Sequence, residues 1–301
     1  MVIRMKKTFS LIICLGLTLL VLFNIDTLSN YLADYLESEK KVYIASSNAY
    51  TKNYNYNFVS MSDDYVPYSY QDLLNIIYST LNNGWETFTF YCPDEYTNCL
   101  EDINKLSKDT TLLSNINNFV HPFNNYSKIG IVSSNTGEIT INVTKLYSKE
   151  DIEKINLGVD DIITKEITPE MSNEYKILKI HDYIINNTRY DVNKSNTASF
   201  TALGPLFNGV SVCSGYADLM SIFLTKFNIP NFKVASSTHV WNAVLIDDEW
   251  LNLDLTWDDP ITKDSDVDTL SHKFFMINSE KLLEFDTKDH KYDTTIYQEL
   301  N

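Results

Sequence analysis

The chain has 301 residues, 44% of them hydrophobic, which is enough to bury a proper core and to build two compact units. Its 40 acidic side chains against 24 basic ones leave a net charge of -16, which argues against a polyanion such as nucleic acid as a partner. There is no Gly-x-Ser-x-Gly elbow, no Walker loop and no paired Cys-x-x-Cys pattern, and no motif implies a metal or an organic cofactor.

Arg4, Lys6 and Lys7 precede an apolar run from Phe9 to Phe23, and Asp26 follows it, the charge order of an export signal. No small-x-small cleavage site lies in the next six residues. Residues 1–27 therefore read as an uncleaved signal anchor that holds the chain in the cell membrane with the remainder outside, or as a signal peptide if it is cut. Residues 28–57 read as a polar juxtamembrane stalk, because Ser46-Ser47-Asn48 and the alternating Asn and Tyr from Asn53 to Asn57 are turn-prone.

Residues 58–165 read as a small α+β module. The spacing of Leu73, Leu74, Ile77 and Leu81 predicts a helix over 71–81, and Thr87–Tyr91 alternates like a strand. Residues 128–132 and 138–143 predict a hairpin across Ser133–Gly137. An exported location permits a disulfide between Cys92 and Cys99, and the sequence leaves open whether it forms.

Residues 166–301 carry the chemistry. Ala217, Met220, Leu224 and Phe227 recur at helical spacing from Ser214 onward, which sets Cys213 at a helix N-terminus. The unpaired N–H groups there stabilise a thiolate and are oriented to receive a developing oxyanion. Gly209 and Gly215 allow close backbone approach on either side. Residues 237–257 fold on paper as a hairpin closed at Asp247-Asp248. That pairs Ile246 with Glu249, Val244 with Leu251, Trp241 with Asp254 and His239 with Thr256, and makes His239 and Asp254 diagonal neighbours on one face. Asn242 falls on the apolar face, where a buried structural hydrogen bond is its ordinary role.

A thiol, an imidazole and a carboxylate in this order are what a nucleophilic cysteine requires: the imidazole takes the proton and the carboxylate orients the imidazole. Val-Cys-Ser-Gly-Tyr-Ala at 212–217, His-Val-Trp-Asn at 239–242 and Asp-Leu-Thr-Trp-Asp-Asp-Pro at 254–260 resemble the bacterial branch of the transglutaminase-like superfamily. So do Lys-Ile-His-Asp-Tyr-Ile at 179–184 and Arg-Tyr-Asp at 189–191, and the resemblance spans roughly residues 166–280. Ser214 departs from the glutamine that many relatives carry. The resemblance implies an α+β, papain-like catalytic domain, a cysteine-bearing helix packed on an antiparallel sheet that bears His and Asp. It implies Cys213 as nucleophile, His239 as general base and then acid, and Asp254 as orienting carboxylate, with Tyr190, Gly215 and Trp241 as support for the oxyanion or substrate.

The function this implies is an extracytoplasmic thiol acyltransferase acting on protein or peptide amides, with an amine as acceptor. Two other readings stay open: a cysteine peptidase or amidase acting on peptides or cell-wall stems, and a non-catalytic protein that keeps the fold for binding. Elsewhere, Asp264-Ser265-Asp266-Val267-Asp268 lacks the glycine and distal glutamate of a calcium loop and reads as a solvated acidic loop. His181 and Asp182 are adjacent on a predicted helix, which makes a poor dyad. His121, His272 and His290 have no evident partners, and the charged tail from Asp286 to Asn301 reads as frayed or packed as a short helix.

Overall fold

The computed structural model describes Thr18 and residues 20–39, 48–134, 136–259 and 270–301. The chain divides into Met1–Ile44 and Ala45–Asn301. In the first unit the described backbone forms helix α1 (Ile25–Glu39). Most of the apolar run expected to anchor the chain lies outside the described residues, and no described helix is long and apolar enough to cross a membrane.

The second unit opens on residues expected to be a stalk, and they are pinned instead. Asn48 Nδ2 donates to Asn124 Oδ1 (2.7 Å), Asn82 Oδ1 accepts from the Lys52 backbone N–H (3.0 Å), and Tyr56 OH donates to the Asn231 carbonyl (3.0 Å). Lys52 and Tyr56 are buried. Asn53, Tyr54, Asn55 and Asn57 stay exposed as their composition suggests, whereas the Tyr56 hydroxyl finds its partner 175 residues along the chain.

Helix α2 (Tyr70–Asn82) starts where the Ser69 hydroxyl caps the Asp72 N–H, and it buries Leu73, Leu74, Ile77 and Leu81 as their spacing demands. Strands β1 (Thr87–Tyr91), β2 (Tyr126–Ser133) and β3 (Glu138–Lys145) form an antiparallel sheet in the order β1-β3-β2, which contains the expected hairpin. Between β1 and β2 lie two short helices, α3 (Cys99–Leu106) and α4 (Thr110–Asn118), and a disulfide joins Cys92 to Cys99.

Helix α5 (Lys149–Glu166), opened by a Ser148–Asp151 capping box, ends beside the domain boundary expected after residue 165. The core does not break there. Ile155 and Val159 of α5 share one apolar cluster with Ile177, Ile180 and Ile184 of α6 (Asn173–Asn186) and Met220 and Phe223 of α7 (Cys213–Lys226). Phe119, just past α4, stacks on Phe232 and Tyr297 at 5.0 and 5.7 Å between ring centroids. Each such side chain, fully buried, contributes about 1.5–3 kcal/mol. Residues 45–301 form one compact unit.

Strands β4 (Arg189–Tyr190) and β5 (Val210–Ser211) pair in parallel ahead of α7. Strands β6 (Asn231–Ala235), β7 (Val240–Ile246) and β8 (Glu249–Leu253) form an antiparallel sheet against which α7 packs, and Asn242 Nδ2 donates to the Ala217 carbonyl across that contact (3.0 Å). The β7–β8 register pairs Ile246 with Glu249 and Val244 with Leu251, as counted from the sequence. It ends at Asn242 and Leu253, so the expected Trp241–Asp254 and His239–Thr256 pairs do not form. The chain turns instead into α8 (Leu255–Asp258) and, after the 260–269 segment outside the described residues, into α9 (Ser279–Phe285). Of the two expectations for the tail, the packed one holds: Tyr292 bridges Ser236, His290 and Tyr297 are fully buried, and Gln298–Leu300 form a short helix.

Candidate active site

Cys213 is the first residue of α7 and is partly exposed. The Val212 N–H donates to the Ser199 carbonyl (2.9 Å), which fixes the entry of the helix. A Cβ on Gly215 would lie 2.5 Å from the Ser199 oxygen and 2.9 Å from that of Thr201, so only glycine lets the first turn sit on this segment. Its own N–H is bonded to the Val212 carbonyl (3.0 Å). Gly215 therefore seats the helix through the close backbone approach expected of it. The Ser214 hydroxyl donates to the Phe200 carbonyl (2.9 Å) and fastens the same turn.

His239 precedes β7, in a turn held by its N–H on Ser236 Oγ (3.1 Å) and by the Ser236 N–H on its carbonyl (2.9 Å). Its Nε2 meets Asp254 Oδ2 at 2.6 Å, and the Cys213 thiol is near enough to the same ring to favour its charged form. Trp241 is buried, stacks on the imidazole at 5.6 Å and donates its indole N–H to Asn252 Oδ1 (2.9 Å), so it braces His239 from within the core.

Asp254 leaves the β-ladder to cap α8. Its Oδ1 accepts from the N–H groups of Thr256 (2.9 Å) and Trp257 (3.3 Å), and its Oδ2 accepts from His239 and from His290 Nε2 (2.8 Å). Burial opposes its charge, yet the two imidazoles beside it hold the carboxyl well below the usual carboxylate range. Burial likewise opposes a charged His239, and the Asp254 carboxylate, its hydrogen bond and the neighbouring Cys213 together push the ring up to about 10.

The β4–β5 pair sets Tyr190 beside Ser211, next to the cysteine segment. Tyr190 lines a cleft of about 420 Å³ with His239, Thr238, Thr256, Trp257, Asp259 and Asp289. Burial, then the charges of Cys213, Asp191 and Asp254, raise its phenol, so it keeps its proton and remains a donor. Asp191 places it, accepting from Ser199 Oγ (2.7 Å) and the Asn196 N–H (3.1 Å).

The sequence missed His290 and Asp286. His290 is fully buried, with Nδ1 2.9 Å from Asp286 Oδ2, and its partners in sequence were hidden because Asp254 lies 36 residues upstream. His181 and Asp182, set aside as a dyad, do meet at 2.9 Å, while His181 Nε2 contacts buried Asp258 (3.2 Å) and His272 Nε2 contacts Asp182 (2.8 Å). His121 is buried, caps the Phe123 N–H through Nδ1 (3.1 Å) and is lowered by burial and then by Lys52 and Lys233. Among the described residues two triplets, His181-Asp182-His272 and His239-Asp254-His290, bring ligand-type atoms within 4.8 Å of one another, and in both the carboxylate is hydrogen-bonded to the two imidazoles.

These features set a helix-terminal thiol beside a buried His–Asp pair on a domain of mixed helix and sheet. Residues 161–255 match the transglutaminase-like superfamily, and the chain carries a transglutaminase-like domain. A solved structure of a TGase is 14% identical at a TM-score of 0.35, covering 50% of this chain and 49% of its own. A candidate cysteine protease from Cytophaga hutchinsonii is 16% identical at a TM-score of 0.28, covering 43% of this chain and 61% of its own. The chain thus spans about half the length of the first and three-fifths of the second. No curated protein matches.

Proposed function

We propose that the chain is an extracytoplasmic thiol acyltransferase that acts on protein or peptide amides through a thioester on Cys213. The observation that carries this reading is the shared imidazole: His239 neighbours the Cys213 thiol and is held at 2.6 Å by a buried carboxylate. The thiolate adds to the amide carbonyl, and the first-turn N–H groups of α7 receive the negative oxygen. The His239 imidazolium gives its proton to the nitrogen as the C–N bond breaks, leaving the thioester and a free amine. An incoming amine then attacks the thioester, returns its proton to His239 and releases Cys213. Tyr190, an intact phenol on the cleft wall, is the side-chain donor available to the same oxygen. Export is part of the reading, supported by the basic-then-apolar N-terminus and by the Cys92–Cys99 disulfide.

The test is incubation of the protein with a glutamine-rich polypeptide and a fluorescent primary amine. Covalent incorporation without shortening of the polypeptide, lost in Cys213→Ala, is the expected result. Cleavage without incorporation transfers the chain to the cysteine peptidases. No turnover, with Cys213 alkylated no faster than a free thiol titrating near pH ~8.5, supports a binding protein and ends the enzymatic reading.

A further inference from the structure

We propose that His290 is a positioning residue of the thiol site: it clamps the Asp254 carboxylate against His239 and, as a buried imidazolium between two carboxylates, weakens that carboxylate's hold on the His239 proton. The assignment rests on the reading of Cys213, His239 and Asp254 as the reacting set.

Each ring nitrogen of His290 faces a carboxylate oxygen, Nε2 to Asp254 at 2.8 Å and Nδ1 to Asp286 at 2.9 Å, and the ring is wholly buried. An ionised carboxylate only accepts, so both nitrogens must donate, and the form that does so is the imidazolium. Asp286 is held ionised: burial opposes its charge, but the His290 bond and the Lys288 and Asp289 N–H groups lower it. Aromatic rings close the remaining sides, Phe274 stacked at 5.2 Å and Trp241 and Trp257 at 4.9 and 5.1 Å, and π-faces favour an enclosed cation. The titratable and charged groups around the ring are Asp254 at the cap of α8, Asp286 after α9 and His239 before β7, with Lys273 beyond the Phe274 ring at 5.5 Å.

The consequence follows from Oδ2 of Asp254, which both imidazoles share. An uncompensated buried carboxylate at 2.6 Å would grip the His239 proton so strongly that its transfer to a leaving amine is penalised. A second cation on the same oxygen relaxes the grip while its hydrogen bond keeps the carboxylate aimed at the ring.

Nitrogen-15 NMR of the histidine rings tests this directly. In the wild-type protein both His290 nitrogens carry protons at pH 7, and a neutral ring there overturns the proposal without any variant. His290→Gln keeps an N–H for Asp254 and removes the charge. The His239 midpoint is expected to rise by about one unit, a roughly tenfold tighter hold on its proton. An unchanged midpoint in the folded variant reduces His290 to a packing residue. Iodoacetamide labelling of Cys213 across pH, run beside the NMR on wild type and His239→Gln, separates the two readings. If Cys213 reactivity is independent of His239 the acyl-transfer reading fails, while the coupling of His290 to His239 is still read from the rings.

Discussion

His239 keeps a proton that burial alone would strip from it. Asp254 supplies the opposing charge, and it does so as a fixed group, since its two oxygens take four hydrogen bonds from Thr256, Trp257, His239 and His290. The folded value of His239, about 10, lies above the ordinary 6.5, so the stability this proton contributes is complete below pH 6.5 and is lost as pH rises through about 10. Asp254 is shifted the other way, and its contribution is present above the usual carboxylate range and is lost in acid. The pair is strongest between those limits. Urea unfolding of wild type and His239→Gln should therefore show the largest gap at pH 6 and a gap that closes toward pH 10; a gap that widens with pH contradicts the ion pair. Cys213, His239 and Asp254 were legible because each sits in a short motif. His290 was not, because its two partners are carboxylates that the tail itself does not identify.

At the scale of elements, the two-residue turn at Asp247-Asp248, with the alternation of pairs counted outward from it, was enough to read the register of β7 and β8. What alternation could not reveal is where pairing stops. Asp254 looks like the next strand residue, but as an N-cap it bends the chain into α8, and His239 meets it from the turn before β7 instead of across a ladder. The short helices α3 and α4, of 8 and 9 residues, offer too few turns for a periodic signal. The hairpin turn invites a test. Asp247 and Asp248 both hold positive φ, 49° and 64°, the backbone of a type I′ turn that prefers glycine at its second position. Asp248→Gly should stabilise the protein by about 0.5–1 kcal/mol by relieving that left-handed strain. A urea midpoint that rises while Cys213 alkylation is unchanged would match this; a fall in stability would mean the aspartate makes a contact worth more than the strain.

Across the whole molecule, the segment expected to be a stalk is a strap, and Lys52 is its fastening. The ammonium donates to the Asn231 carbonyl (2.7 Å) and to Asn231 Oδ1 (3.3 Å) on β6, so residue 52 is tied to the sheet whose β7 begins just after His239. Nothing local in the sequence marks this lysine among its polar neighbours; its burial arises only when Asn82 and Asn231 close around it. The cost is visible in its titration. Burial, then the like charge of Lys233, lower Lys52 to about 7 despite some help from Asp218, which is itself paired with Lys233 at 2.6 Å. Since the unfolded chain binds this proton up to 10.5, the penalty is full below pH 7 and fades as pH rises from about 7 to 10.5. Lys52→Met removes the charge and keeps the apolar stem, and it strands no acceptor, because Tyr56 OH donates to the Asn231 carbonyl (3.0 Å) and Ser221 Oγ to Asn231 Oδ1 (2.5 Å). The variant should be more stable than wild type at pH 6, by about 1–3 kcal/mol, with an advantage that shrinks as pH approaches 10. The wild-type profile alone does not isolate this, since His239 loses stability over the same range, so the difference between the two proteins in urea is the quantity to follow. A difference that stays constant from pH 6 to 10 would show that Lys52 is charged in the folded protein and that the strap is held as an ordinary solvated cation.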